Sequence, residues 1–291
     1  MFKIGIDLGG TKIETVILNP DGAEIYRNRV LTLQERGYAA IINTLAECYS
    51  NAVTVIDNKQ HTFGIGTPGS ISHKTGLMKN SNTLCLNGKP ILKDLPRLIN
   101  RPVAIENDAN CFAMAEALVG AGKGYAVVFG VIMGTGCGGG IVIQNRVLNG
   151  LQSLGGEWGH MTIDPQGPFC YCGKRGCVET YISGTGISDR FYDLTGKRLP
   201  AKHILDGDSA EAIQVKELFF EQFGRALSNV ISIIDPDVVV LGGGLSNYLP
   251  LYSTGIEQVE KYVFGAELST PILQHKTGDS AGVLGAAWIG I

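Results

Sequence analysis

One pattern is written twice in this chain, and it limits the fold more than anything else. Residues 2–30, "FKIGIDLGGTKIETVILNPDGAEIYRNRV", read as strand, glycine turn, strand, an Asn-Pro-Asp-Gly turn and a third strand. Residues 126–147, "AVVFGVIMGTGCGGGIVIQNRV", repeat the order strand, glycine-rich turn, strand. The letters differ, so this is a duplication of architecture rather than of sequence. Helical spacing follows at 36–56, then the short buried strand of "HTFGIGTPG", then "RPVAIENDANCFAMAEALVGAG", a strand running into a helix that opens near Asn107 and Asp108. In the second half, "KELFFEQFGRALSNVISIIDPDVVVLGGGLSN" gives a long helix, a turn, a buried strand and three glycines, and "GDSAGVLGAAWIGI" closes the chain as a helix. The expectation is an α/β chain in two lobes. Residues 1–118 with the terminal helix 279–291 form the smaller, 119–278 the larger, and "LVGAGKG" at 118–124 the boundary.

The 40 glycines, about twice the usual rate, are gathered in blocks at Gly9–Gly10, Gly134–Gly140, Gly155–Gly156 and Gly242–Gly244. Blocked glycine beside apolar strands predicts that backbone comes close to something, often a phosphate. Gly134, Gly136 and Gly139 satisfy G-x-G-x-x-G, but a dinucleotide fold needs a helix after the last glycine, and "IVIQNRV" is strand-like. No G-x-x-x-x-G-K-[ST] occurs. Asp7 ends a strand just before Gly9, Gly10, Thr11 and Lys12. A carboxylate there can hold hydrated Mg²⁺ while turn amides approach nucleotide phosphates. The same letters also suit a tight hairpin with a capping aspartate.

A formal net charge of −3 leaves no broad basic surface, which argues against nucleic acid as partner. No apolar run approaches the roughly 18 residues that cross a membrane, and no signal peptide opens the chain, so a cytoplasmic protein is expected. Disulfides are rare in that compartment. Of seven cysteines, 48, 85, 111 and 137 read as small packed hydrophobes, whereas Cys170, Cys172 and Cys177 cluster near His160. One imidazole and three thiols match the closed stoichiometry of structural zinc, although the spacing is not the common C-x-x-C. A redox pair of Cys170 with Cys172, or inert buried thiols, would use the same letters. Asn107 and Asp108 stand where a carboxylate can serve chemistry, and equally where a helix is capped.

Taken together, "GIDLGGTK", "ENDAN", "GTGCGGG", "GGEWGHMTI", "CYCGKRGCVETYISG" and "VVVLGGG" resemble, in this order and over essentially the whole chain, the ROK family of bacterial sugar kinases, relatives of actin and hexokinase. The resemblance implies two ribonuclease-H-like lobes with ATP and sugar in the cleft between them. It implies Asp108 as the base for the sugar hydroxyl, Asn107 as its orienting neighbour, and Glu157, His160 and Glu179 as sugar-binding residues. It implies nucleotide contacts, with Mg²⁺, at Asp7, Gly9, Gly10, Thr11, Lys12, Gly134, Thr135, Gly136, Gly242, Gly243 and Gly244. It places structural zinc on His160, Cys170, Cys172 and Cys177, with the second nitrogen of His160 facing a sugar hydroxyl. Dimers are common in the family, so a homodimer is expected.

The loops "GTPGSISHKTGLMKNSNTLCLNGKPILKDL" and "YVFGAELSTPILQHKTGDSAGVLGAAW" are most similar to the fructokinase branch. Gly69 and Asn82 in the first of them are expected to line the far side of the sugar, where an acetamido group would need room. The reaction expected is D-fructose and ATP to D-fructose 6-phosphate and ADP. The alternatives are an N-acetylglucosamine or N-acetylmannosamine kinase, or a glucokinase. A sugar-responsive regulator of the same family would carry a helix-turn-helix domain ahead of the first hairpin, which here starts at Phe2. A zinc-binding interaction module would leave both glycine turns and Asp108 unexplained.

Overall fold

The computed structural model describes residues 1–291, the side chain of Asp279 apart. It divides into two units, the first made of Met1–Glu116, Val147–Gly155 and Thr277–Ile291, the second of Ala117–Arg146 and Gly156–Lys276. Unit 1 begins with β1 (Phe2–Leu8), β2 (Lys12–Leu18), β3 (Glu24–Leu31), α1 (Tyr38–Val55) and β4 (His61–Thr67). The two-residue strands β5 (Ser70–Ile71) and β6 (Met78–Lys79) follow, then α2 (Ile91–Ile99), β7 (Ala104–Asn107) and α3 (Asp108–Val119). Its main sheet has the order β3-β2-β1-β4-β7. The β1–β2 and β2–β3 pairs are antiparallel, the β1–β4 and β4–β7 pairs parallel.

Unit 2 contains β8 (Val127–Met133), β9 (Cys137–Ile143), β10 (Arg146–Val147), α4 (Glu179–Ile182), α5 (Gly184–Thr195), α6 (Ala201–Leu205) and α7 (Ala210–Ile234), followed by β11 (Val238–Gly242), α8 (Thr254–Tyr262) and β12 (Ile272–Gln274). Its sheet runs β10-β9-β8-β11-β12, with β8–β9 antiparallel and β8–β11–β12 parallel. Both sheets therefore have one strand order, and the architectural duplication read from the sequence is present as topology. The class is α/β, built of two ribonuclease-H-like units.

Local sequence explains the elements. Helix α1 buries Ile41, Ile42, Leu45, Cys48, Tyr49 and Ala52, a stripe at helical spacing that covers one face of the first sheet. The chain returns to unit 1 as α9 (Ala281–Ile289), which covers the opposite face. Two strand glycines admit it. A Cβ on Gly5 would lie 2.4 Å from the Ala287 nitrogen, and one on Gly64 2.1 Å from the Ala286 oxygen. In unit 2, Ser209 caps α7 by accepting from the Ala212 amide at 3.2 Å. Past its end, Asp237 accepts the amides of Ala126 and Val127 at 2.9 and 2.8 Å and ties the start of β8.

One segment lies elsewhere than the sequence suggests. Residues 147–155, placed in the larger lobe by chain order, pack on unit 1. Polar ties hold them there: Asn149 Nδ2 donates to Glu106 at 2.5 Å, Lys79 Nζ to the Gln152 carbonyl at 2.7 Å, and Ser153 Oγ to the Ile71 carbonyl at 3.1 Å. Among the described residues no helix is long and apolar enough to cross a membrane.

Candidate active site

In unit 1 the parallel strands deliver carboxylates to one edge of the sheet. Asp7 near the end of β1, Gly66 on β4 and Glu106 on β7 are register partners in one row. Glycine clears the space around Asp7, because a Cβ on Gly66 would be 3.3 Å from its Oδ1 and one on Gly282 3.0 Å from its Oδ2. Burial pushes the Asp7 carboxyl up to about 7, and the charges of Asp108 and Glu14 add to the push while Lys12 opposes it. A carboxyl so placed gains from any cation or amide donor that arrives.

Asp108 opens α3 directly after β7. Its side chain is exposed to solvent, yet desolvation raises its carboxyl above the ordinary range, opposed by the Ala109 amide, which donates to Oδ1 at 2.8 Å. Water reaches this carboxylate while protein surrounds it at longer range, and solvent contact tempers the upward push. Asn107 divides its labour. Its Oδ1 accepts the Asn110 amide at 2.7 Å and caps α3, while its Nδ2 has no hydrogen-bond partner among the described residues. The capping reading thus holds for Asn107, and Asp108 is left open.

The first glycine turn is fixed from behind by Thr32. Its hydroxyl donates to the Gly9 carbonyl at 2.7 Å and its amide to the Thr11 carbonyl at 3.0 Å. Gly9 donates to the Lys12 carbonyl at 2.9 Å, closing the turn. Lys12 is partly engaged already, its ammonium 3.8 Å from Glu14, which Arg27 and Arg29 also bind. Gly69 and Asn82 belong to one neighbourhood. Gly69 has φ +104°, and a Cβ there would fall 2.8 Å from the Ser81 nitrogen, the residue before Asn82.

In unit 2 the second glycine block serves two ends. Gly134 to Gly136 form the β8–β9 turn, joined to the N-terminus of α5 by Gly184 N–H donating to the Gly134 carbonyl at 2.7 Å and by Thr185 N–H donating to the Thr135 carbonyl at 3.2 Å. Gly243 backs onto this turn: its φ is +78°, and a Cβ there would lie 2.4 Å from the Met133 carbonyl. Gly134 and Gly244 face open space. The later glycines serve backbone packing rather than a phosphate. A Cβ on Gly139 would be 2.8 Å from the Trp158 ring, and one on Gly159 2.1 Å from the Cys137 carbonyl. The turn carrying Glu157 is thereby laid flat on β9, and Trp158 Nε1 donates to the Gly138 carbonyl at 3.0 Å. Glu179 is committed to the same region, accepting the Cys137 amide at 2.8 Å.

His160, Cys170, Cys172 and Cys177 converge, their ligand atoms all within 4.8 Å of one another. The Cys172 and Cys177 sulfurs are 3.6 Å apart and His160 Nδ1 is 3.7 Å from the Cys170 sulfur. Tetrahedral zinc with Zn–S of about 2.3 Å and Zn–N of about 2.0 Å has edges of roughly 3.6–3.8 Å, so the donor set fits that ion. All seven cysteines are free. Burial, then the neighbouring sulfurs, pushes the Cys177 thiol up to about 12. Burial also raises Cys170, whereas the Lys174 amide and the neighbouring sulfurs bring Cys172 below the ordinary thiol range; a dication would deprotonate all three. The second nitrogen of His160 meets a protein hydroxyl where a sugar hydroxyl was expected: Nε2 is 3.0 Å from the Tyr171 oxygen, the rings edge to face at 5.2 Å.

Sequence reasoning missed Glu106, Asn110 and Asn149. Asn110 Nδ2 donates to Glu106 at 3.0 Å and to Asn149 Oδ1 at 3.1 Å, and Asn149 closes the triangle. Glu106 is visible as the first letter of "ENDAN"; nothing in the sequence marks Asn149 as its partner. Thr32 and Tyr171 carried no signal beyond their place beside motifs.

The model of the ROK family matches residues 3–291. The N-acetyl-D-glucosamine kinase of Histophilus somni is 38% identical over 301 residues, covering 97% of either chain. The crystal structure of a ROK hexokinase from Thermus thermophilus is 31% identical with a TM-score of 0.91, over 100% of this chain and 98% of that one. A ROK family glucokinase from Streptomyces griseus, solved in complex with glucose and AMPPNP, is 26% identical with a TM-score of 0.78, over 100% of this chain and 99% of that one. Fructose is the sugar expected from the loops at 66–95; the Histophilus somni relative is a kinase of N-acetyl-D-glucosamine.

Proposed function

Since this chain belongs to the ROK family, we propose that it is an ATP-dependent sugar kinase that transfers the terminal phosphoryl group of ATP to the primary hydroxyl of a 2-acetamido hexose, N-acetyl-D-glucosamine before fructose or glucose. The kinase reading rests on one observation: Asp7 near the end of β1 and Asp108 directly after β7 stand at the same end of one sheet, near enough for the charge of Asp108 to act on the Asp7 carboxyl. The likeness to N-acetyl-D-glucosamine kinase over 97% of either chain supports the substrate.

Asp108 accepts the proton of the attacking hydroxyl, and the surrounding protein, by raising its carboxyl above the ordinary range, favours that transfer. Asn107, held by its bond to the Asn110 amide, presents Nδ2 to a neighbouring hydroxyl and fixes the ring. Gly69 and Asn82 border the sugar, with Glu157 and Glu179 as acceptors for further hydroxyls. His160 serves the metal first; a sugar hydroxyl reaches Nε2 only by taking the place of Tyr171. The amides from Gly9 to Lys12 and from Gly134 to Gly136 receive phosphates, and Gly242 to Gly244 the nucleoside. Phosphoryl transfer needs this alignment and positive charge more than covalent help. Asp7 would hold the Mg²⁺ that accompanies ATP and neutralises phosphate charge. Zinc on His160, Cys170, Cys172 and Cys177 would stiffen the loop before Glu179 without entering the reaction. The enzyme would work as a cytoplasmic homodimer.

The test is a panel of N-acetylglucosamine, N-acetylmannosamine, glucose and fructose with Mg-ATP. N-acetylglucosamine should exceed fructose in kcat/KM by about tenfold or more, the range one recognised substituent supplies. A higher value for fructose would restore the first expectation, and no turnover of any hexose would end the kinase reading.

A further inference from the structure

Thr83 lies between two groups of residues that the proposed reaction requires to act together. It is 1% exposed, and its hydroxyl has no hydrogen-bond partner among the described residues. A buried hydroxyl in that condition costs stability that valine, of the same shape, would not. Such a group in a folded protein needs an explanation. Its surroundings are built with care. The Thr83 amide donates to Ser81 Oγ at 3.1 Å, and Asn87 clamps Ser81 through its backbone amide and carbonyl, each at 2.9 Å. Ser81 is the residue against which Gly69 packs, and Asn82 separates it from Thr83. On the other side lies Gly10, where a Cβ would sit 3.7 Å from the Thr83 hydroxyl oxygen. The loop that borders the sugar and the turn that receives phosphates therefore approach each other at this one unpartnered oxygen.

We propose that Thr83 is a positioning residue that couples the two substrates. Only when phosphates draw the Gly9–Lys12 turn in and a sugar holds its loop does the hydroxyl donate to the backbone at Gly10, a bond that neither ligand alone completes. Thr83 touches neither substrate. This rests on the kinase reading, and its consequence is that sugar and nucleotide bind more tightly together than singly, by about tenfold.

The experiment titrates Mg-ADP calorimetrically with and without the best-bound sugar of the panel, in wild type, Thr83→Val and Thr83→Ser. Wild type and Thr83→Ser should show the tenfold gain. Thr83→Val should melt at or above wild type and bind each ligand alone as wild type does, yet lose the gain and about tenfold in kcat/KM. Retained coupling in Thr83→Val overturns the proposal, as does the absence of coupling in wild type. Should Thr83→Val melt well below wild type, Thr83→Ala removes the donor without adding bulk, and full coupling there would overturn it equally. Coupling without phosphoryl transfer in wild type would sink the kinase reading and leave this one standing.

Discussion

Replacing Asp7 by asparagine should stabilise the free protein while destroying its activity, and the gain should depend on pH. In the folded chain the Asp7 carboxyl titrates near 7 against an ordinary 3.8. Three decades of proton affinity correspond to roughly 4 kcal/mol, and the half-buried side chain keeps enough solvent contact that about 2 kcal/mol is the working figure. The sign follows from linkage. Between the two titration points the folded state binds more protons than the unfolded one, so this group's contribution to stability falls as pH rises from about 4 to 7. Above that range the wild type carries the full penalty of an ionised Asp7 near Asp108 and Glu14; below it the penalty is gone. Asp7→Asn carries none at any pH. Thermal melts without nucleotide should put the variant above wild type by roughly 4–8 °C at pH 8, at about 2–4 °C per kcal/mol for a chain of this size. The gap should shrink at pH 5. Mg-ADP should raise the melting temperature of wild type and leave the variant unmoved. A variant that melts below wild type at pH 8, or a gap independent of pH, would refute the reasoning.

Two further outcomes follow from the site. Asp108→Asn should lower kcat by about 10²–10⁴-fold with sugar KM within a few-fold of wild type, because the lost interaction belongs to the transition state; a mild loss in steady-state kinetics would move the base elsewhere. Native mass spectrometry should find one zinc per chain, and its removal by a chelator should lower the melting temperature and weaken sugar binding, whereas unchanged melting and kinetics in the metal-free protein would exclude a structural metal at His160, Cys170, Cys172 and Cys177.

Much of the fold was legible because its signals are local. The turns at 9–11 and 134–136 announce their hairpins through glycine between alternating apolar strands, and Ser209 marks the start of α7. The common strand order of the two sheets was implied by resemblance alone, since non-local pairing leaves no spacing in the letters. The packing of 147–155 on unit 1 could not be read either: it depends on Asn149 meeting Glu106, which is 43 positions away. Gly139 and Gly159 were visible as glycine, but glycine looks the same whether it admits a phosphate or a tryptophan. That His160, Cys170, Cys172 and Cys177 lie together was legible, because a candidate ligand set is encoded in residue types. Tyr171, between two of them, did not, because only coordinates show which way a ring turns.

The helix that covers the second face of the first sheet is encoded far from the strands it packs on. Until Ala281–Ile289 leaves the ribosome, the strand face floored by Gly5 and Gly64 has nothing to close it. Chains usually complete their domains from the N-terminus as they are synthesised, at about 5–20 residues per second. Unit 1 cannot, because the cover for that face is encoded after all of unit 2, so the strands made first wait with an apolar face bare while the second unit is being synthesised.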